Sequence, residues 1–344
     1  MVKKSLNILL FSIILSPSFS QTGGDNIYEF LNLTHSGLVA SLGGSNVALN
    51  VNDLNMVYHN PALLAPGMNK SLALNYVNYF AGINYGLAMY SQSYQGIGSF
   101  AVGLTYLNYG SFTETDVSGI ITGSFQASEY AFSMIYSREI DSLFSVGVNF
   151  KPIISHLEKY TSIGFAFDIG ASWHNRSNLF TAGIVIKNAG YQVTTYTGEE
   201  HQKLPFEIQA GVSKKLAYAP FRFSLTARHL EKFDLTHQYL PPGTTGDSDP
   251  ATSEFFENLM RHFILGAELI PHKNFYICGG YNYQRKKDLQ VDSKISTVGF
   301  SWGFGINTSL LDIEFGRATY HLAGSSSHVS LILRPNNIYK KFRN

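Results

Sequence analysis

The stretch from Ser71 to Thr113 reads SLALNYVNYFAGINYGLAMYSQSYQGIGSFAVGLTYLNYGSFT and holds no Asp, Glu, Lys or Arg. Large and small residues alternate along it. In Leu72-Ala73-Leu74-Asn75-Tyr76 the large apolar residues take one parity, while Ala and Asn take the other. The pattern returns in Ile83-Asn84-Tyr85-Gly86-Leu87-Ala88-Met89 and in Phe100-Ala101-Val102-Gly103-Leu104-Thr105-Tyr106. A period of two, rich in aromatic and branched residues, predicts strands. The second face decides the class. A soluble sheet would show Lys and Glu there, whereas this one shows Ala, Gly, Ser, Asn and Thr. Large apolar groups outside and small polar groups inside is the pattern of a β-barrel in lipid.

The composition agrees. Charged residues make up 14% of the 344, with 21 Tyr, 25 Phe and 31 Gly, against about 25% charged in soluble domains. The net charge of +1 gives no basic footprint for nucleic acid. Lys3 and Lys4 precede an apolar run from Ile8 to Leu15, and Ser18-Phe19-Ser20 supplies small residues for cleavage. This predicts a signal peptide over 1–20. No later run is long and apolar enough to cross a membrane as a helix. The lone Cys278 cannot form an internal disulfide and reads as a small packing residue.

Alternating segments fall at about 71–79, 83–92, 97–108, 129–137, 143–157, 160–174, 179–188, 205–214, 221–230, 262–270, 275–284, 293–305, 309–320 and 326–334. That is about fourteen, an even number as single-chain bacterial barrels require. The long polar connections 110–128, 189–204 and 231–261 all follow odd-numbered segments, and the links after even ones are short. Long loops lie outside in such barrels, so the short turns, both barrel ends and a tail over 335–344 are expected in the periplasm. Tyr76, Tyr79, Tyr106, Tyr109, Tyr136, Trp173 and Tyr283 fall near strand ends, where aromatic rings settle at the interface. Trp302 falls nearer a strand middle.

Residues 21–69 precede the barrel (70–334). In SGLVASLGG (36–44), Ser36 caps a short helix that Gly43-Gly44 stops. In NDLNMVYHNPALLA (52–65), Asn60 caps a turn begun by Pro61-Ala62, because proline at the first helical position loses no hydrogen bond. A fourteen-strand barrel is too wide for strand side chains alone to fill. The segment is therefore expected as a plug, with Gly43, Gly44, Asn60, Pro61 and Ala62 as its motif; a cap below the barrel is the alternative.

Catalytic patterns are weak. GFSWG (299–303) matches G-x-S-x-G but lies within a strand, where the sharp turn that exposes a nucleophile is missing. GDSDP (246–250) could hold a calcium ion, but a solvated loop tip is the better reading, so no metal or other cofactor is expected. Arg285-Lys286-Lys287 could contact lipid phosphates. In SEFFENLMRHF (253–263), Phe256, Leu259, Met260 and Phe263 recur at helical spacing, with Ser253 as cap. Such a helix must bury its apolar face on the barrel rim or on a partner, which makes Phe255, Phe256, Leu259 and Met260 a candidate partner-binding loop.

The short N-terminal helix, then Leu-Gly-Gly, then Asn-Pro-Ala before the first strand resembles the hatch of FadL-like outer-membrane barrels. Within that superfamily, EFLNL (29–33), NPALL (60–64), LNYVNYF (74–80), VGVNFKPIISHLEKY (146–160) and LPFEIQAGVSKKL with APFRFSLTA (204–227) resemble the PorV/PorQ family of the type IX secretion system. The likeness runs from about Tyr28 to Arg334. One departure is the end, since many such barrels finish on an aromatic residue of the last strand and this chain continues from Pro335 to Asn344. The resemblance implies a non-enzymatic component of the complex that cleaves and attaches secreted cargo to lipopolysaccharide, working with PorZ, PorU and PorV. The rival reading is a FadL-like transporter of hydrophobic small molecules, which would need an apolar lumenal pocket and a wall opening.

Overall fold

In the computed structural model, residues 26–198, 200–235, 251–289, 297–321 and 324–335 are described. The expected signal peptide, GDSDP and most of the expected C-terminal tail lie outside them. Fourteen antiparallel strands close into one barrel, each paired with its neighbours in sequence and β1 with β14. They are β1 (Leu72–Asn78), β2 (Asn84–Tyr94), β3 (Gly98–Thr115), β4 (Ile121–Glu139), β5 (Phe144–Leu157), β6 (Tyr160–His174) and β7 (Phe180–Thr194). The other half comprises β8 (Glu207–Lys215), β9 (Phe221–Ala227), β10 (Phe263–His272), β11 (Phe275–Asn282), β12 (Phe300–Asn307), β13 (Leu311–His321) and β14 (Gly324–Leu333). No described helix is long and apolar enough to cross a membrane. Closure gives every strand a partner on both sides, so the paired backbone is satisfied without water.

Two of the long polar connections are shorter than expected. Residues 110–128 are mostly hairpin, because β3 runs to Thr115 and β4 starts at Ile121. Likewise β7 reaches Thr194, so the connection after it begins at 195.

The outward parity holds on β1 and β3, where Leu74, Tyr76, Phe100 and Val102 are exposed. On β2 it is inverted. Tyr85, Leu87 and Met89 are buried inside, while Ala88 faces out. The reason is what fills the lumen. Leu87 and Met89 pack with Leu54, Val57, Tyr58, Leu64 and Met68 of the N-terminal segment, so large inward groups are stabilised there by an apolar neighbour. Outside, the Tyr106 ring covers Gly86, with an ideal Cβ at that glycine only 3.0 Å from Tyr106 Cε1. Tyr109 also departs from the interface, because its hydroxyl donates to Glu129 Oε2 at 2.7 Å. Trp302, expected nearer a strand middle, is the third residue of β12 because that strand starts only at Phe300, and it projects outward, 53% exposed.

Candidate functional site: the plug and the long-loop rim

The N-terminal segment lies inside the barrel and runs along it from end to end. At the long-loop end, Ile27 N donates to Lys203 O at 2.8 Å and Tyr28 Oη sits 2.5 Å from Ser162 Oγ. At the short-turn end, Arg334 donates to Asn52 O at 3.1 Å and Lys70 N to Ser91 O at 2.9 Å, just before β1. A cap below the barrel is thereby replaced by a filling. Helix α1 (Gly37–Ser41) begins at Ser36, whose side chain accepts from Val39 N. It ends at Gly43 and Gly44, with φ of 103° and 100°, a backbone region that side chains disfavour. Helix α2 (Met56–His59) stops at Asn60, and a 3-10 turn over Pro61–Leu63 follows. Pro66 opens one more such turn.

Two groups of inward-facing glycines form seats for these turns. Against β5, β6 and β7, a Cβ added at Gly147 would strike the Pro61 backbone, at Gly170 the Asn60 side chain, and at Gly183 the Val47 carbonyl. Across the barrel, Gly316 faces Gly37, Gly303 faces Ser41 and Gly280 faces Leu42. Asn60 ties the first seat together. Its Oδ1 accepts from Ala62 N at 3.0 Å, while its Nδ2 donates to Val47 O at 2.9 Å and to Ala171 O of β6 at 3.2 Å. Asn60, Pro61 and Ala62 therefore join plug to wall. In the second seat Gly43 O accepts from Asn282 Nδ2 and from the Arg285 guanidinium, each at 3.1 Å. Gly44 O accepts from Thr34 Oγ1.

The wall also carries buried charge that the alternation did not suggest. Lys151 Nζ lies 2.7 Å from Asp168 Oδ1, with both side chains at most 1% exposed. Arg228 grips Glu207 at 2.7 and 2.9 Å, and Arg222 pairs with Glu268 at 2.9 Å. Plug rings meet this network. Lys151 and Lys187 lie 5.9 and 5.5 Å from the Tyr58 ring centre. His35 stands edge-on to Tyr58 and Tyr85 at 4.9 and 5.5 Å. Burial, reinforced by His328 and Lys187, pushes the His35 pKa down to about 3, so its ring stays neutral. A lumen studded with paired charge holds the plug by hydrogen bonds as well as by apolar contact.

Near the short-turn mouth, Asp53 of the plug is buried beside Glu314 of β13. Burial pushes its carboxyl up to about 6, reinforced by Asp312 and opposed by the Asn55 amide, Glu314 and Arg334. An acid whose folded pKa is raised holds its proton longer folded than unfolded. Its contribution to stability is then complete below the unfolded value near pH 4 and is lost as pH rises through 6. The plug is accordingly expected to be held more loosely at pH 8 than at pH 5, by on the order of 1 kcal/mol for this group, since part of the effect is already lost at pH 5. Asp53→Asn should flatten that difference in proteolysis of the plug; an unaltered pH dependence in the variant would assign the effect elsewhere.

Two cavities with polar and charged side chains in their linings open at the short-turn end, and a third of about 460 Å³ on the outer wall of β4–β7 is lined by apolar residues, Val148, Ile169 and Ile184 among them. One of about 630 Å³ is lined by Asp53, Arg222, Glu268, Glu314 and Arg334 among others. Another of about 520 Å³ lies by Leu64, Tyr94, Ile97 and Arg138. Ser301 of GFSWG is the second residue of β12, paired in the barrel wall with its Oγ 3.5 Å from Gly280 O. Cys278 is buried 2.8 Å from Ser41 Oγ. Among the described residues no three His, Cys, Asp or Glu side chains are grouped to hold a metal.

At the long-loop rim, helix α3 (Ala251–Arg261) and helix α4 (Tyr283–Leu289) lie side by side. Arg285 is turned inward, its guanidinium 4.3 Å from the Tyr320 ring centre and bonded to Gly43 O. It therefore braces the plug instead of reaching lipid phosphate. Lys286 is half-buried on α4 beside Gly299. Lys287 pairs with Glu257 of α3 at 3.2 Å. Phe255, Phe256 and Met260 are exposed and Leu259 half-buried. The rim thus separates Arg285 from the exposed apolar side chains of α3.

No protein-family model matches this sequence, and no curated protein matches it. Solved structures do share its fold. The Pseudomonas putida toluene transporter TodX aligns with a TM-score of 0.51 at 10% identity, over 88% of this chain and 97% of that one. A TodX deltaS2 mutant, described as a monoaromatic hydrocarbon channel, gives 0.52 at 11% identity, over 87% and 97%. A Pseudomonas aeruginosa FadL homologue gives 0.48 at 11% identity, over 87% and 98%. The closed fourteen-strand barrel of this chain thus shares its fold with the toluene transporter TodX.

Proposed function

We propose that this chain is a non-enzymatic outer-membrane barrel that serves type IX secretion as an anchor, holding a PorZ-like partner at the cell surface alongside PorU and PorV. The sequence resemblance to PorQ and its family motivates the reading. The observation that carries it is the filled lumen: the plug is seated on both glycine groups, and the larger cavities carry charge. Such a body suits an anchor, since it presents a rigid rim to a partner and leaves little apolar room for a solute. Transport of hydrophobic small molecules is the second reading, and the shared fold with TodX over nearly all of that chain favours it. Transport would require the plug to leave its seats.

Affinity purification of the tagged chain from outer membranes separates the two. Co-purification of PorZ, PorU and PorV together with lipopolysaccharide is expected for the anchor. Isolation of the barrel alone, combined with uptake of toluene or a fatty acid into vesicles containing it, would replace the anchor by the transporter.

A further inference from the structure

Helix α3 is oriented opposite to what water would dictate. Its polar side faces the protein: Asn258 and Arg261 are buried, Asn258 Oδ1 accepting from Leu235 N at 3.3 Å and Arg261 donating to Asp288 Oδ1 at 2.6 Å. The adjoining His262 is also buried, with its ring nitrogens 2.6 and 3.0 Å from Arg228 O and Phe233 O. Its apolar side faces away, leaving Phe255, Phe256 and Met260 exposed by 51%, 63% and 41%. The packing of this helix on its own rim therefore uses the polar face, which leaves the apolar face for another surface.

The neighbouring strands indicate which surface. A membrane-spanning strand needs about 9–11 residues, and β9 has seven. On β6 the exposed apolar belt runs from Trp173 up to Ile163. On β9 it holds Phe221, Phe223 and Leu225 and then runs out of strand. Beyond that point the exposed apolar groups continue as Leu230, Phe233 and the three of α3. Phe233 and Phe255 stack with ring centres 5.4 Å apart, and Phe256 follows at 5.9 Å. The series is continuous with the lipid-facing wall.

We propose that α3 lies in the membrane interface at the long-loop end, with Phe255, Phe256 and Met260 among lipid acyl chains, completing the wall where β9 is too short. The arrangement is that of an interfacial amphipathic helix, with the barrel supplying the partners of its polar face. This inference needs the barrel to be in a membrane and is independent of the anchor reading.

The test uses Phe256→Trp, and separately Met260→Trp, in the full chain with Trp173→Phe and Trp302→Phe. The protein is placed in phosphatidylcholine vesicles with or without bromine on the acyl chains. Heat-modifiable mobility checks folding of each variant. The expected result is loss of emission with brominated lipid comparable to that of a variant keeping Trp302 alone, at a depth of roughly 5–10 Å below the headgroups. Quenching by aqueous iodide in place of bromine would overturn the proposal in favour of a face left for a protein partner. Shielding from both quenchers would overturn it in favour of cover by the chain itself.

Discussion

Replacing Gly170 with valine is expected to unseat the plug while leaving the barrel closed. The new side chain would occupy the place of Asn60, whose Cγ would lie 3.1 Å from an ideal Cβ, with Pro61 Cδ equally near. The wall cannot give way easily, because Gly170 is locked in register between Gly147 of β5 and Val185 of β7. Asn60 would therefore move and lose its three bonds. The cap on Ala62 is worth about 1 kcal/mol, and the buried Val47 carbonyl left without its donor costs about 1–3 kcal/mol, while the Ala171 carbonyl keeps its place in the ladder. The fourteen ladders are untouched, so heat-modifiable mobility should persist while single-channel conductance in planar bilayers rises well above that of the parent chain. Ala171→Val, one residue along and pointing the other way, should leave conductance unchanged. A folded Gly170→Val barrel that conducts no more than the parent would show that another contact blocks the lumen.

Much of this seat was legible in the sequence, and the reasons differ by element. Asn60-Pro61-Ala62 announced its turn because capping and proline geometry are local. All fourteen strands were readable because lipid leaves the outward parity little choice. What the alternation missed depends on the plug. Tyr85, Leu87 and Met89 face inward because an apolar partner waits inside, and period alone cannot tell the two faces of β2 apart. The inward charges were missed for a related reason. Lys151 follows Val148 and Phe150 on the opposite parity, so its direction was readable, but its partner Asp168 lies on another strand. Pairing across a sheet requires register, which the sequence gives only through its turns. The rim failed differently. The spacing of Phe256, Leu259 and Met260 marked an amphipathic helix, yet which face turns inward was set by Asp288 and Leu235, far from it in sequence. Arg285 likewise joins the plug through Gly43, 242 residues away.

The buried pair on β5 and β6 leads to the other large expected effect. Asp168 is 1% exposed and serves three donors: Lys151 Nζ at 2.7 Å, Asn188 N at 2.8 Å and Asn149 Nδ2 at 3.1 Å. Asn188 in turn accepts from Lys151 at 2.5 Å and donates to Asn32 Oδ1 of the plug at 3.0 Å. Asp168→Ala would leave the fully buried Lys151 ammonium without its counter-charge, with Lys187 close to the same Tyr58 ring. Breaking a buried pair in this way costs about 3–5 kcal/mol, whereas replacing both partners by apolar groups is often neutral. Asp168→Ala is thus expected to lower the urea midpoint of unfolding sharply and to expose the plug to protease before the barrel opens. The double variant Lys151→Met with Asp168→Leu should recover most of the midpoint but not the protease protection, because Asn188 loses the partners that aim it at Asn32. If the double variant were as unstable as Asp168→Ala, shape and not charge would govern this part of the wall. If instead it regained full protection, the plug would be held by its glycine seats without help from the ionic network.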